Sequence, residues 1–278
     1  MEIGGLQKLT LIDYPGRVAA TVFLCGCNFR CPWCYSPELV LPEKIKRHLY
    51  PVKSRFAGPS PSQKGGIFNG VYPVKSRKAG SPEAKFNGAR IPEKDFFDFL
   101  KKRKGLLEGV VICGGEPTIH KDLPKFIKKI KKMGYLVKLD TNGSNPMMLK
   151  ELITNKLVDY VAMDVKQAQN SKLKTQNYDR AAGAKVDLNK IKKSVEILKN
   201  SKIDFEFRTT VVPGIHTKED IVEIAKWIGG PKIKYYLQNF RPEKTLDPKF
   251  EKIKPYPQEY LIEIQRVIAP FFAICQVR

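Results

Sequence analysis

No run of about 18 or more uncharged apolar residues occurs in the sequence, which leaves no candidate for a hydrophobic membrane-spanning helix. The first residues, "MEIGGLQKLTLIDYPG", lack the basic-then-apolar order of a secretory signal. Both absences point to a soluble, cytosolic protein. Histidine is scarce: His48, His120 and His216 are scattered along the chain. The six cysteines do not form the dispersed, even set of a secreted disulfide framework. Four of them, Cys25, Cys27, Cys31 and Cys34, crowd into ten positions, while Cys113 and Cys275 stand alone. Metal binding in a reducing compartment fits that usage better.

Acidic residues are also few, 28 against 50 Lys and Arg, for a formal charge of +22 over 278 residues. Such a charge invites an acidic or nucleic-acid partner, but its distribution argues against nucleic acid. Residues 42–90 carry a net +9 by themselves, and many other lysines fall on the outward faces of expected helices, as in "KFIKKIKKMG". Between 46 and 90 the composition turns to Pro, Gly, Ser, Lys and Arg. "YPVKSR" occurs there twice, at Tyr50–Arg55 and Tyr72–Arg77. Two copies make no solenoid, and so few aliphatic residues cannot offset the entropy of ordering. The segment 46–90 is expected to be an inserted, repeat-containing flexible loop within a single domain spanning 1–278.

Elsewhere apolar strands alternate with amphipathic helices. Strands are expected at 18–25, 109–113, 135–140, 158–165, 204–212 and 233–240, with a further one in "FFAICQVR". Helices are expected at 93–105, 122–134 with Asp122 as cap, 146–155, 187–200, 217–229 opened by a Thr217–Asp220 capping box, and 256–268. Strands apolar throughout, separated by helices, indicate parallel pairing. The fold class is therefore α/β, a partial (β/α)6 TIM-like barrel whose chemistry belongs at the C-terminal strand ends. Reactive groups from six strands converge there: Cys27 and Cys34, Cys113 to Thr118, Asp140 to Gly143, Asp164 to Lys166, Arg208 with Thr210, and Gln238 with Asn239.

A structural zinc site wants four ligands, commonly as two separated pairs, and no second pair answers the cysteine run. Cys27, Cys31 and Cys34, spaced C-x3-C-x2-C, can instead hold three corners of an iron-sulfur cube and leave the fourth iron open. On the cysteines alone a zinc site remains an alternative. Cys25, two residues earlier, is expected to be a small buried neighbour. "CGGEPT", Cys113 to Thr118, follows a short strand. Its Gly114 and Gly115 allow close backbone approach, and Glu116 supplies a charge that an ammonium can pair with.

The cysteine spacing and the GGE element together resemble the radical S-adenosylmethionine (SAM) enzymes. "GLQKLTLIDYPGRVAATVFLCGCNFRCPWC", "LDTNGSNP", "VAMDVKQ", "FRTTVVPGIH" and "LQNFRP" follow in the order of the anaerobic ribonucleoside-triphosphate reductase activating proteins, a branch of the glycyl-radical enzyme activases. The resemblance implies a radical SAM fold and a 4Fe-4S cluster on Cys27, Cys31 and Cys34. It implies that SAM yields a 5′-deoxyadenosyl radical, which takes a Cα hydrogen from a glycine of a partner enzyme. It further implies cofactor contacts at Trp33, Gly114, Gly115, Glu116, Asp140, Thr141, Asn142, Asp164, Lys166 and Arg208. A monovalent cation would lie beside Asp140, Thr141, Met163 and Asp164, and a flavodoxin or ferredoxin would donate electrons. No general acid or base is required. Two departures stand out: Tyr35 and Ser36 follow the last cysteine where relatives often carry His-Asn, and Arg241 stands where related activases carry a His. A radical SAM enzyme acting on a small molecule or peptide is the alternative, and a zinc-bound basic nucleic-acid binder a distant one.

Overall fold

The computed structural model describes residues 1–40, 90–168 and 176–278. Apart from Arg90, the expected insertion at 46–90 lies outside them. Among them eight strands form one sheet in sequence order: β1 (Ile3–Thr10), β2 (Ala19–Leu24), β3 (Gly109–Gly114), β4 (Leu136–Thr141), β5 (Tyr160–Asp164), β6 (Asp204–Val211), β7 (Gly230–Asn239) and β8 (Phe272–Val277). β1 runs antiparallel to β2, and β2 through β8 are parallel. Among the described residues no pairing joins β8 back to β1, so the sheet is an open barrel. The expected parallel α/β core is present. The further strand expected in "FFAICQVR" forms as the parallel β8, and the antiparallel β1 is an addition that was not expected.

Among the described residues eight α-helices accompany the strands: α1 (Pro37–Val40), α2 (Glu93–Lys102), α3 (Leu123–Lys132), α4 (Pro146–Thr154), α5 (Gln176–Ala182), α6 (Leu188–Lys199), α7 (Lys218–Ile228) and α8 (Gln258–Ile268). Their buried stripes, such as Leu123, Phe126, Ile127 and Ile130 of α3, pack with the strand side chains Ile112, Val137, Leu139, Phe207 and Leu237 in the main core. The capping box at Thr217 and Asp220 forms as expected. Asp122 does not cap α3. Its φ and ψ of −90° and 3° are not the extended geometry that lets a side chain reach back to the first turn, and its carboxylate lies 3.7 Å from the N-terminal ammonium instead.

Side chains alternate across a strand, so registered positions two apart share a face. One row joins Thr21, Val111, Lys138 and Tyr160, and the next includes Phe23 and Cys113 on one pair and Asp140, Ala162 and Glu206 on another. A third brings Asp164, Arg208 and Tyr236 into line. Tyr14, Ala19, Val111 and Tyr160 make a small apolar cluster separate from the main core. The inner face carries the charges of Asp140, Asp164 and Arg208 toward the C-terminal strand ends and also the buried Glu206, which Tyr160 and Arg278 contact. No helix among the described residues is long and apolar enough to cross a membrane.

Candidate SAM and cluster site

The loop after β2 carries the cysteines. Its path is fixed by hydrogen bonds to neighbouring segments and by Phe29, Cys31 and Trp33, which are buried in the main core. Gly26 N–H donates to Leu39 O (2.6 Å) and Arg30 N–H to Ala182 O (2.7 Å), while the Arg30 guanidinium donates to Cys27 O (2.5 Å) and Phe29 O (2.7 Å). A methyl group on Gly183 would stand 1.9 Å from Arg30 O, so this contact excludes any side chain there. Cys31 is buried, and Cys27 and Cys34 are half-buried.

Burial pushes all three thiols up, Cys27 and Cys31 to about 12. Each also faces something that favours the thiolate: Phe29 N–H at 3.3 Å from Cys27 Sγ, Lys166 near Cys31, and the Ser36 N–H with Lys166 near Cys34. Metal loading must displace the protons, and these donors are placed to compensate. Trp33 Nε1, between Cys31 and Cys34 in the chain, is buried without an acceptor. No three His, Cys, Asp or Glu side chains among the described residues converge closely enough for a single metal ion. Three thiols on one loop, near enough that their charges raise one another's pKa, with an unused N–H beside them, fit a polynuclear cluster. Cys25, buried one residue past β2, packs against Gly4, and its carbonyl contacts His120 Nε2 at 2.9 Å.

The GGE element is stitched to the cysteine loop. Gly115 N–H donates to Leu24 O (2.9 Å) and Glu116 N–H to Gly26 O (2.8 Å). Gly114 has φ +123°, and a methyl group on it would meet Leu24 backbone atoms at 2.3 Å. The close approach that both glycines permit is thus to the Leu24 and Gly26 backbone. Glu116 is buried. Its carboxylate accepts from Thr118 N–H (3.0 Å), Thr118 Oγ1 (2.5 Å), Thr141 Oγ1 (2.7 Å) and Asn142 N–H (2.6 Å). Burial raises its pKa, against the pull of those four donors. Asn142 Nδ2 donates to Asn28 Oδ1 (3.0 Å), and Asn28 Nδ2 to Ser144 Oγ (2.8 Å). Asn28 was not singled out in the sequence. Its place beside Cys27 was the available signal.

Asp140, Asp164, Lys166 and Arg208 meet at the strand ends, joined by Lys138, which sequence reasoning passed over. Arg208 donates to Asp140 Oδ2 and Asp164 Oδ1, both at 3.0 Å, and Lys166 to Asp164 Oδ2 at 3.0 Å. Lys138 donates to Asp140 Oδ1. Burial alone would raise Asp164, but Lys166 and Arg208 outweigh it and bring it to about 2. Asp140 is lowered in the same way by Arg208 and Lys138. Lys166 and Arg208 are raised in turn, the carboxylates overcoming burial. Lys166 Nζ also sits 4.8 Å from the centre of the Trp33 ring, which ties the charged mouth to the cysteine loop. His216, buried, accepts from Val212 N–H (3.0 Å) and bonds Lys166 O (2.7 Å). Tyr35 is exposed to solvent, yet its hydroxyl, whose pKa burial raises, lies close enough to Cys113, Arg208 and Asp164 to feel their charges; Arg241 is exposed and Asn239 half-buried. Asn239 donates to Tyr256 O (2.8 Å).

A cysteine loop bonded to a Gly-Gly-Glu turn, both at the C-terminal ends of a parallel open barrel, defines a class that sequence comparison names. Residues 21–228 match the Radical SAM superfamily, and the chain belongs to it. That family's cofactors are a 4Fe-4S cluster and SAM, which replaces the zinc-bound nucleic-acid reading. The chain is 33% identical over 258 residues, 92% of its own length and 87% of the relative's, to a Methanocaldococcus jannaschii protein provisionally named a glycyl-radical enzyme activating enzyme. It is 25% identical over 129 residues, 46% of this chain and 38% of the other, to 7-carboxy-7-deazaguanine synthase of Aquifex aeolicus. In fold it is similar to SuiB of Streptococcus suis, with TM-score 0.55 at 15% identity, covering 93% of this chain and 48% of SuiB. The chain thus spans about half the length of that structure, and the likeness concerns the fold.

Proposed function

We propose that the protein is a glycyl-radical enzyme activase, and that its partner is an anaerobic ribonucleoside-triphosphate reductase. The observation that carries this reading is the similarity over 92% of the chain to the Methanocaldococcus jannaschii protein named for that activity. The order of motifs from "LIDYPG" to "LQNFRP" supports the reductase as partner. When bound, the cluster and SAM supply a radical able to take a hydrogen atom from a glycine Cα.

The chain's own residues bind, orient and shield. Cys27, Cys31 and Cys34 hold the cluster. Glu116 locks the Gly-Gly turn and the Thr141–Asn142 loop into one rim, with its backbone and that of Gly114 and Gly115 lining the side nearest the cysteines. Lys166 and Arg208 face the SAM carboxylate, and Trp33 seals the mouth below Lys166. No side chain must gain or lose a proton in hydrogen-atom transfer, and the low pKa values of Asp140 and Asp164 keep the mouth's charges fixed. The basic surface suits an acidic electron carrier of the flavodoxin or ferredoxin type.

Electron paramagnetic resonance tests the reading. Reduced, cluster-loaded protein with SAM and an anaerobic reductase is expected to generate a glycyl doublet on the reductase. A second reading, a small-molecule substrate, is favoured by the partial similarity to the deazaguanine synthase. It predicts SAM cleavage with no doublet on any glycyl-radical enzyme.

A further inference from the structure

Five charged side chains form one unbroken line inside the open barrel: Lys138 to Asp140, Asp140 to Arg208, Arg208 to Asp164, and Asp164 to Lys166. Strand geometry sets the line. Lys138 and Asp140 are two apart on β4 and so share its inner face, while Asp164 and Arg208 are register partners on β5 and β6. Lys138 is the most buried member of the line, its side chain 1% exposed, and Asp164 the most exposed at 30%, while Lys166 at the far end is 10% exposed. All four carboxylate oxygens have a cationic partner from the chain.

Charge counting separates Lys138 from the others. Asp140, Asp164, Arg208 and Lys166 alone are neutral together. A carboxylate arriving beside Lys166 and Arg208 would leave that set one charge negative in a half-buried place, where an uncompensated charge is costly. Lys138 makes the set one charge positive, and the same carboxylate then brings it to neutrality. A metal cation beside Asp140 and Asp164, as the resemblance implied, would have to displace Lys138, Arg208 or Lys166 from an oxygen and then sit against the displaced cation. The residues present do not fit it.

We infer that Lys138 is a built-in counter-cation, a positioning residue acting through Asp140 and Arg208, and that this protein binds SAM without K⁺ or Na⁺. The inference rests on reading the mouth as the site of the SAM carboxylate. Equilibrium SAM binding to the cluster-loaded protein tests it, in KCl, NaCl and choline chloride at one ionic strength. Wild-type affinity is expected to agree within about twofold across the three salts, whereas Lys138→Met should bind about tenfold more weakly in choline and recover in K⁺ or Na⁺. A wild-type protein that loses affinity severalfold in choline overturns the inference, with or without a folded variant. So does a Lys138→Met protein equally weak in all three salts, or as tight as wild type in choline. Arg208→Gln separates the two levels: undiminished SAM affinity in that variant would remove the carboxylate from the mouth and take the inference with it. Weakened affinity together with a salt-sensitive wild type would overturn only the role of Lys138.

Discussion

Gly115 and Gly26 lie so close that a methyl group on Gly115 would stand 1.9 Å from the Gly26 carbonyl oxygen. The same oxygen accepts the Glu116 N–H at 2.8 Å. The Gly-Gly-Glu turn and the cysteine loop are thus one backbone unit, and the spacing of the thiols depends on a residue 81 positions beyond Cys34 in the chain. Gly115→Ala is expected to push the loop aside. The reconstituted variant should hold a small fraction of wild-type iron while keeping its far-ultraviolet circular dichroism. Full iron content would contradict the coupling.

Glu116 accepts four hydrogen bonds in a buried setting. Glu116→Gln turns one accepting oxygen into an NH2 group facing donors. A loss of about 2–4 kcal/mol is expected, the order seen when buried donors to a charged acceptor lose their partner. Denaturant unfolding measures it, and SAM affinity should fall with it because Asn142 is released.

His216 is held neutral, its pKa lowered to about 4 by burial, from an ordinary value near 6.5. The unfolded chain binds a proton below about 6.5 that the folded chain refuses until about 4, so stability falls as pH drops through that window. The stability lost across the whole window is on the order of 3 kcal/mol. Denaturant midpoints between pH 7.5 and 4.5 should decline in the wild type and decline less in His216→Ala, which starts lower.

Cys25 and Cys31 should behave oppositely. Cys25→Ala removes a thiol packed on Gly4 and is expected to keep the iron-sulfur absorption of the reconstituted protein. Cys31→Ala is expected to lose it together with SAM cleavage. Retained cleavage in Cys31→Ala would refute the ligand assignment.

The six longer helices were legible because each shows its own buried stripe, and the capping box at Thr217 and Asp220 was readable from two residues. β1 was not legible. "IGGLQKLT" has no apolar run, since as an edge strand it pairs along its length with β2 alone and keeps Lys8 and Leu9 in solvent. α5 was missed because "QNYDRAA" is too short to show a period. Lys138 left a signal that was available: a lysine inside "YLVKLD" two residues before Asp140 shares its face by strand periodicity alone. The partners of Glu116 left none, because no local pattern tells which residues of the β4 loop will lie beside a carboxylate that follows β3.

The most direct test of the central claim follows a single atom. A glycyl-radical partner is prepared with deuterium at glycine Cα and mixed with reduced, cluster-loaded protein and SAM, and the released 5′-deoxyadenosine is weighed by mass spectrometry. The account predicts that deuterium appears in 5′-deoxyadenosine in step with the glycyl signal on the partner. 5′-Deoxyadenosine formed without deuterium, in the presence of a partner that is competent toward its own activase, would contradict it.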